Sequence, residues 1–144
     1  MTLAGMLTRY AIIYIALMAL LSFAANAIGL KSGSALNVGG IAAAVLGSVY
    51  WFSSKNGRAL TRPETNIAWA VMVLVDLALQ VAILLLLLPS SGGNASAALL
   101  LAIAFVGIFH AMGVRFFLFF GTKIWRDAEK ARAAKAASST GGGG

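Results

Sequence analysis

Four long apolar stretches occupy most of this 144-residue chain, and nearly all of its charged residues lie outside them. The stretches cover residues 10–30, 36–52, 65–88 and 97–120. A helix needs roughly 20 apolar residues to cross a hydrocarbon core about 30 Å thick. The first, third and fourth stretches reach that length, and the second reaches it only when its polar ends are included. The pattern therefore predicts an all-α integral membrane protein, a four-helix bundle in which neighbours along the chain pack antiparallel.

Composition leaves little room for a separate soluble domain. Only 10% of the residues are charged and 60% are hydrophobic, whereas a soluble domain has about 25% charged residues. We expect one transmembrane domain over residues 1–126, then a basic cytoplasmic or interfacial helix over 127–137 and a flexible tail over 138–144. The chain contains no cysteine, which excludes disulfides and thiolate chemistry.

The basic residues collect on one side of the predicted spans. Arg9 precedes the first span, three basic residues follow the second, and five follow the fourth. Between the first and second spans there is only Lys31, and between the third and fourth there is no charge. Because Lys and Arg stay on the cytoplasmic side, we expect both termini in the cytoplasm (N-in, C-in) and a multi-pass protein of the inner, or plasma, membrane.

The net charge of +7 points to anionic lipids at the cytoplasmic face rather than to nucleic acid. An alternative concerns the amino-terminal segment. Residues 1–27 also resemble a secretory signal, with Arg9, an apolar run and a small-x-small site at Ala25–Ala27. We favour a retained first span, in which the small residues near Asn26 allow close helix packing.

Small residues recur at helical spacing in two of the stretches. Gly39, Ala43 and Gly47 follow one another at intervals of four in the second, and Gly107 and Gly113 flank His110 in the fourth. Membrane helices use small residues to bring their backbones close together. These positions therefore predict close helix contacts, made within the chain, with a partner membrane protein or with a second copy.

Three polar residues lie deep in the predicted spans: Asp76, Gln80 and His110. At a rise of 1.5 Å per residue, Asp76 and His110 both lie about 18 Å from the cytoplasmic side, and Gln80 is one turn beyond Asp76. We expect the three to form an intramembrane polar cluster. One interpretation is a proton or ion relay; the other, which we favour, is a structural pair that fixes the register of two helices.

A second group is expected at the lipid headgroups on the cytoplasmic side. It comprises Arg115, whose long side chain can reach the interface, and Lys123, Trp125 and Arg126. A salt bridge from Arg115 to Asp76 is the alternative. Tyr10 and Tyr14 are expected at the same interface, because amphipathic rings prefer that level.

Short motifs mark the loop before the third span. Asn56-Gly57 indicates a turn, and Thr61-Arg62-Pro63-Glu64 is typical of a helix start with a capping box. Together with Arg58 and the aromatic-to-basic exit from Phe119 to Lys123, this layout resembles small four-span bacterial inner-membrane proteins of unassigned function. The resemblance implies the four-span plan and brings no catalytic or binding residues.

The sequence carries no pattern typical of an enzyme. It has no phosphate-binding glycine loop, no paired carboxylates and only one histidine, so we expect no catalysis, no metal and no cofactor. The favoured function is an accessory or scaffold subunit that packs with a larger membrane complex or with itself. The alternative is a small oligomeric proton- or ion-coupled transporter or channel using Asp76 and His110. A third possibility is an immunity-type or regulatory protein whose basic inner surface recognises a partner.

Overall fold

A computed structural model describes residues 1–29, 34–87 and 97–140, and over those residues the chain forms four α-helices and no strand. The helices are α1 (Leu3–Ala27), α2 (Ser34–Asn56), α3 (Arg62–Leu87) and α4 (Ala97–Thr140). The all-helical class is therefore confirmed for the described part of the chain. Residues 30–33, which include Lys31, residues 88–96, which include Pro89, and the tail residues 141–144 lie outside it.

Three of the helices are long and apolar enough to cross a membrane: α1, the 62–82 part of α3 and the 104–138 part of α4. The fourth, α2, is not among them. Its sequence includes Asn37, Ser48 and glycines at 39, 40 and 47, all of which lower its hydropathy. The structure thus supports a membrane protein with at least these three candidate spans.

Local capping explains where the helices begin and end. Thr2 accepts a hydrogen bond from the Gly5 amide at the start of α1, at 3.1 Å. Asn56 ends α2, and Gly57 follows with φ at +61°, a conformation that glycine adopts without strain. Before α3, the Thr61 amide donates to Glu64 Oε2 at 2.8 Å and the Glu64 amide donates to Thr61 Oγ1 at 3.4 Å. The predicted turn and capping box are both confirmed.

The helices form a closed ring of contacts in which α2 packs against α1 and α4, and α3 packs against α4 and α1. The amino terminus of Met1 donates to Asn56 Oδ1 at 2.7 Å, which joins the start of α1 to the end of α2. Gly40, near the start of α2, lies against Met18 and Leu21 further along α1.

Each helix buries one stripe of side chains at four-residue spacing, the spacing of one helix face. The stripes are Met6, Tyr10 and Tyr14 in α1; Ile41, Val45 and Val49 in α2; Ala68, Met72 and Asp76 in α3; and His110, Val114, Leu118 and Thr122 in α4. In α1 and α3 the buried face therefore leads from Met6 and Ala68 near the start of each helix to Tyr14 and Asp76 further along it.

The small residues that pack in α2 are not the predicted ones. Gly39, Ala43 and Gly47 are exposed, and a Cβ built on either glycine would meet nothing within 4 Å. The buried small residues are Gly40 and Ala44, one position later. The reason is that the large apolar residues of α2 lie on the same helix face as Gly40 and Ala44. When that face is buried, Gly39, Ala43 and Gly47 point outward.

The glycines of α4 also differ from one another. A Cβ on Gly107 would lie 2.8 Å from Leu77 Cδ2, so α3 approaches closely there, whereas one on Gly113 would meet nothing within 4 Å. Gly121, which the sequence analysis did not select, lies against α2. A Cβ there would be 3.2 Å from Leu46 Cδ2 and 3.3 Å from Val49 Cγ1.

The longest element is α4, which runs without interruption for 44 residues. It has no boundary between residues 126 and 127, where we expected the membrane domain to give way to a basic helix. Residues 138–140, assigned to the flexible tail from sequence, are its last turn. At 1.5 Å per residue the helix is about 66 Å long, about twice the thickness of a hydrocarbon core.

Replacing Gly121 with leucine is expected to separate α2 from α4, because the new side chain would overlap Leu46 and Val49. Overpacking of this kind costs about 1–3 kcal/mol. Gly113→Leu is the matched control, since it adds the same bulk to the same helix at a position where a Cβ would meet nothing within 4 Å. Unfolding in mixed detergent micelles should show a lower free energy of unfolding for Gly121→Leu alone. Equal losses in both variants would contradict this packing.

Candidate functional site

The candidate site is a buried network of hydrogen bonds centred on the carboxylate of Asp76, which is fully buried. Its Oδ1 accepts a short hydrogen bond from the hydroxyl of Tyr14. Its Oδ2 accepts from Gln80 Nε2 at 2.8 Å and lies 2.7 Å from His110 Nδ1. Both oxygens of the carboxylate therefore have partners, as a charge away from water requires.

The ring of His110 joins α4 to this carboxylate and is 8% exposed. Gln80 Nε2 lies 2.9 Å from the same nitrogen, Nδ1, that faces Asp76. Because two lone pairs would repel at 2.7 Å, one hydrogen lies between Nδ1 and Oδ2. Asp76 and His110 can thus exchange a proton over a single hydrogen bond, and Gln80 Nε2 donates to the carboxylate end of it.

All four helices contribute to this network. Tyr14 comes from α1, Asp76 and Gln80 from α3, and His110 from α4. The contribution of α2 is Asn37, whose Nδ2 lies 3.5 Å from His110 Nε2, at the outer limit of a hydrogen bond. The network therefore fixes the helices laterally and along their axes at one level of the bundle.

The level of Tyr14 corrects one expectation from the sequence. Tyr10 and Tyr14 do not present their rings on the outside of the bundle: both are buried, and their rings stack with centroids 5.6 Å apart. The reason is that α1 begins at Leu3, seven residues before the apolar stretch. Tyr14 is then about 16 Å along α1, and Asp76 is about 21 Å along α3, so the two meet near mid-height.

Asp76, Gln80 and His110 are brought together in the structure, and Arg115 is not part of the cluster. Arg115 Nη1 donates to Asn66 Oδ1 at 2.8 Å, and its guanidinium carbon lies 5.9 Å from the centre of the Trp69 ring. The salt bridge to Asp76 considered above is therefore not formed. Five residues beyond His110, Arg115 is on a different face of α4, which turns it away from the carboxylate.

The other residues expected at the headgroups lie in different surroundings. Lys123 and Arg126 are exposed, and Arg126 Nη2 donates to the Leu60 carbonyl at 3.2 Å. Trp125 is 8% exposed and packs edge-on against Tyr50, with Arg132 over its ring at 5.6 Å. Trp125 is thus a contact between α2 and α4 rather than a side chain at the surface.

An ion pair closes the loop between α2 and α3 at the same end of the bundle. Arg58 donates from both terminal nitrogens to Glu64, each at 2.7 Å. These hydrogen bonds raise the pKa of the Arg58 guanidinium above its ordinary value. Glu64 is therefore engaged by the capping box and by Arg58 together, and its role is structural.

The described residues offer no cluster of three or more His, Asp or Glu side chains that could hold a metal ion. What the Asp76 network can do chemically is move a proton between a carboxylate and an imidazole, or hold four helices in register.

Sequence reasoning missed Tyr14 and Asn37. A signal for Tyr14 existed, since Met6, Tyr10 and Tyr14 share the four-residue spacing of Ala68, Met72 and Asp76. No comparable signal pointed to Asn37, which stands next to the end of an apolar stretch where polar residues are ordinary.

Comparisons with models of protein families, with curated proteins and with solved structures found no match to this chain. The class that the fold and the site define is a helical protein with candidate membrane spans and a buried polar centre, and its function is argued from that centre.

Tyr14→Phe should destabilise the protein, because it leaves one oxygen of the buried Asp76 carboxylate without a donor. The expected loss in the free energy of unfolding is about 1–3 kcal/mol. Tyr10→Phe is a close control: its hydroxyl is buried and has no hydrogen-bond partner, so its removal should cost nothing. Detergent unfolding curves of the two variants test this, and a loss as large in Tyr10→Phe would contradict a specific role for Tyr14.

Proposed function

We propose that the protein is a non-enzymatic, multi-pass membrane protein that serves as an accessory or scaffold subunit, packing with a larger membrane complex or with itself. The observation that carries this proposal is the closed network at Asp76. One carboxylate accepts hydrogen bonds from three helices and is fully buried. A buried carboxylate with both oxygens paired holds the helices that supply its partners in one register, which suits a structural subunit.

The proposal includes a fourth span. The start of α1 is bonded to the end of α2, and Gly40 of α2 contacts Met18 and Leu21 of α1. Two helices that are paired over this length lie at the same depth in a membrane. If α1 crosses the bilayer, α2 therefore crosses it as well. Its lower hydropathy is tolerable because α2 packs on both α1 and α4 and exposes less of itself to lipid.

The orientation follows from charge. Arg58, Arg62 and Arg126 belong to one end of the bundle, where the α2–α3 loop contacts α4. Under the positive-inside rule, this distribution supports the proposal that both termini are cytoplasmic and that neighbours along the chain are antiparallel, in the inner membrane of a bacterial cell.

The surface offered to a partner is the outward face of α2. Gly39, Ala43 and Gly47 lie exposed on one side of that helix. In lipid, exposed small residues allow a second helix to approach closely, and such contact replaces the hydrophobic drive that lipid does not provide. This arrangement favours association through α2, with a partner membrane protein or a second copy.

A relay remains the second candidate, because a carboxylate and an imidazole lie 2.7 Å apart inside candidate spans. A proton-coupled transporter or channel would use Asp76 as its site of protonation. The two functions differ in what Asp76→Asn should do. It abolishes transport in the second case and leaves assembly intact in the first.

Ala43→Leu is expected to weaken assembly. Added bulk on a close helix contact costs about 1–3 kcal/mol, which raises the dissociation constant roughly ten- to hundredfold. Ala16→Leu makes the same change at another exposed position, on α1, and should have no effect. The measurement is the mass of the purified particle in mild detergent by light scattering. A wild-type particle containing a single chain and no partner would contradict the scaffold proposal.

Proton flux separates the two candidates directly. Vesicles containing the protein and an entrapped pH dye should lose an imposed pH gradient no faster than protein-free vesicles. If wild type accelerates the loss and Asp76→Asn restores the slow rate, the relay is correct and the scaffold proposal fails.

A further inference from the structure

We propose that the face between α3 and α4 binds one anionic phospholipid at a defined site, with the lipid phosphate among three arginines and an acyl chain along the adjoining apolar groove. This inference goes beyond the scaffold function, although it shares with that function the assumption that the chain lies in a membrane.

The phosphate site is a cavity of about 420 Å³ at the basic end of the bundle. Arg62 lines it from the start of α3, and Arg115 and Arg126 line it from α4. Thr65 and Thr122 also line the cavity, but each hydroxyl donates to a backbone carbonyl four residues earlier, at 2.8 and 2.6 Å. The donors that the lining offers to a phosphate group are therefore the guanidinium N–H groups.

No carboxylate balances these three arginines. The chain has four acidic residues, and none of them lines the cavity. Glu64 is paired with Arg58, and Asp76 is buried in the polar network. Within the described residues, Arg62, Arg115 and Arg126 form no ion pair. Three guanidinium groups around one space repel one another, and a bound anion removes that repulsion.

A second cavity supports a lipid rather than a free anion. It has a volume of about 470 Å³ and is walled mainly by Trp69, Ile108, Met112 and Phe116, with Arg115 shared with the first cavity. Ile108, Met112 and Phe116 are each at least 60% exposed. An arginine cavity joined to an apolar groove at Arg115 matches a molecule with a phosphate at one end and a hydrocarbon chain at the other.

The orientation of the two cavities fits the membrane. Arg126 and Arg62 lie towards the basic end, while Ile108 is 18 residues before Arg126 on α4, about 27 Å further along the helix. The polar part of the site is therefore at the headgroup level, and the groove extends towards the level of the acyl chains.

Trp69 provides the reporter for a test. A chain with Trp51→Phe and Trp125→Phe keeps Trp69 as its sole tryptophan. It is placed in phosphatidylcholine vesicles in which a fixed fraction of lipid carries brominated acyl chains, which quench nearby indole rings. The brominated lipid is either phosphatidylglycerol or phosphatidylcholine. Both lipids carry a phosphodiester, but phosphatidylcholine also carries a cationic choline group, which the three arginines repel, so we expect a preference of about tenfold for phosphatidylglycerol.

Two pairs of variants distinguish a specific lipid-binding site from non-specific attraction between the basic chain and anionic lipid. Arg115→Gln and Arg126→Gln should each abolish most of the preference. Arg9→Gln and Lys135→Gln remove one charge from elsewhere on the chain and should leave the preference unchanged. Equal quenching by both lipids, or equal losses in all four variants, would overturn the proposal. Circular dichroism and unfolding curves confirm that each variant is folded.

Inorganic phosphate separates the two sources of a phosphate group. Calorimetry on lipid-free protein in detergent should show no binding of phosphate at millimolar concentration. Binding at that level, with relief of quenching in the vesicles, would assign the cavity to free phosphate and overturn the lipid site. Failure of the chain to float with vesicles would instead overturn its membrane location.

Discussion

The structure depends on keeping one carboxylate away from water. An isolated charge in a low-dielectric interior is strongly unfavourable, and Asp76 is fully enclosed, so its partners must be present whenever the bundle is formed. Those partners come from α1, α3 and α4. Burying this carboxylate is unfavourable unless all of its partners are in place. The chain is therefore restricted to one arrangement of α1, α3 and α4, because sliding any of these helices by one turn would remove a hydrogen-bond donor.

The centre and the basic end of the bundle differ in how their polar groups are arranged. At the centre, polar groups are few, and both oxygens of Asp76 are paired with neighbouring side chains. At the end, arginines are plentiful and rest on aromatic rings, with Arg9 over Trp51 at 4.4 Å and Arg58 over Phe52 at 5.4 Å. Cation–π contacts of this kind let a guanidinium group pack on an apolar surface while remaining accessible to anions. The centre is therefore held together by hydrogen bonds between side chains, whereas the end presents guanidinium groups to anions.

The extent to which sequence predicted this arrangement differs between elements. Length and apolar content were sufficient for the helices, and depth counting was sufficient to bring Asp76 and His110 to one level. The rotation of α2 about its own axis was not predictable, because small residues occupy two neighbouring faces of the helix. Gly39 and Ala43 lie on one face, and Gly40 and Ala44 lie on the next. Only the packing of its larger side chains decides which set faces inward, and that depends on the other helices. Tyr14 was misplaced because α1 begins earlier than its apolar stretch.

The uninterrupted course of α4 has a mechanical consequence. Because α4 is continuous from Ala97 to Thr140, the candidate span and the basic segment beyond it belong to one helix. The angle that α4 adopts where His110 joins the polar network therefore also sets the position of Lys130 and Lys135. A partner bound at the carboxyl-terminal end of α4 would therefore act on the polar centre, some 30 Å away along the helix axis.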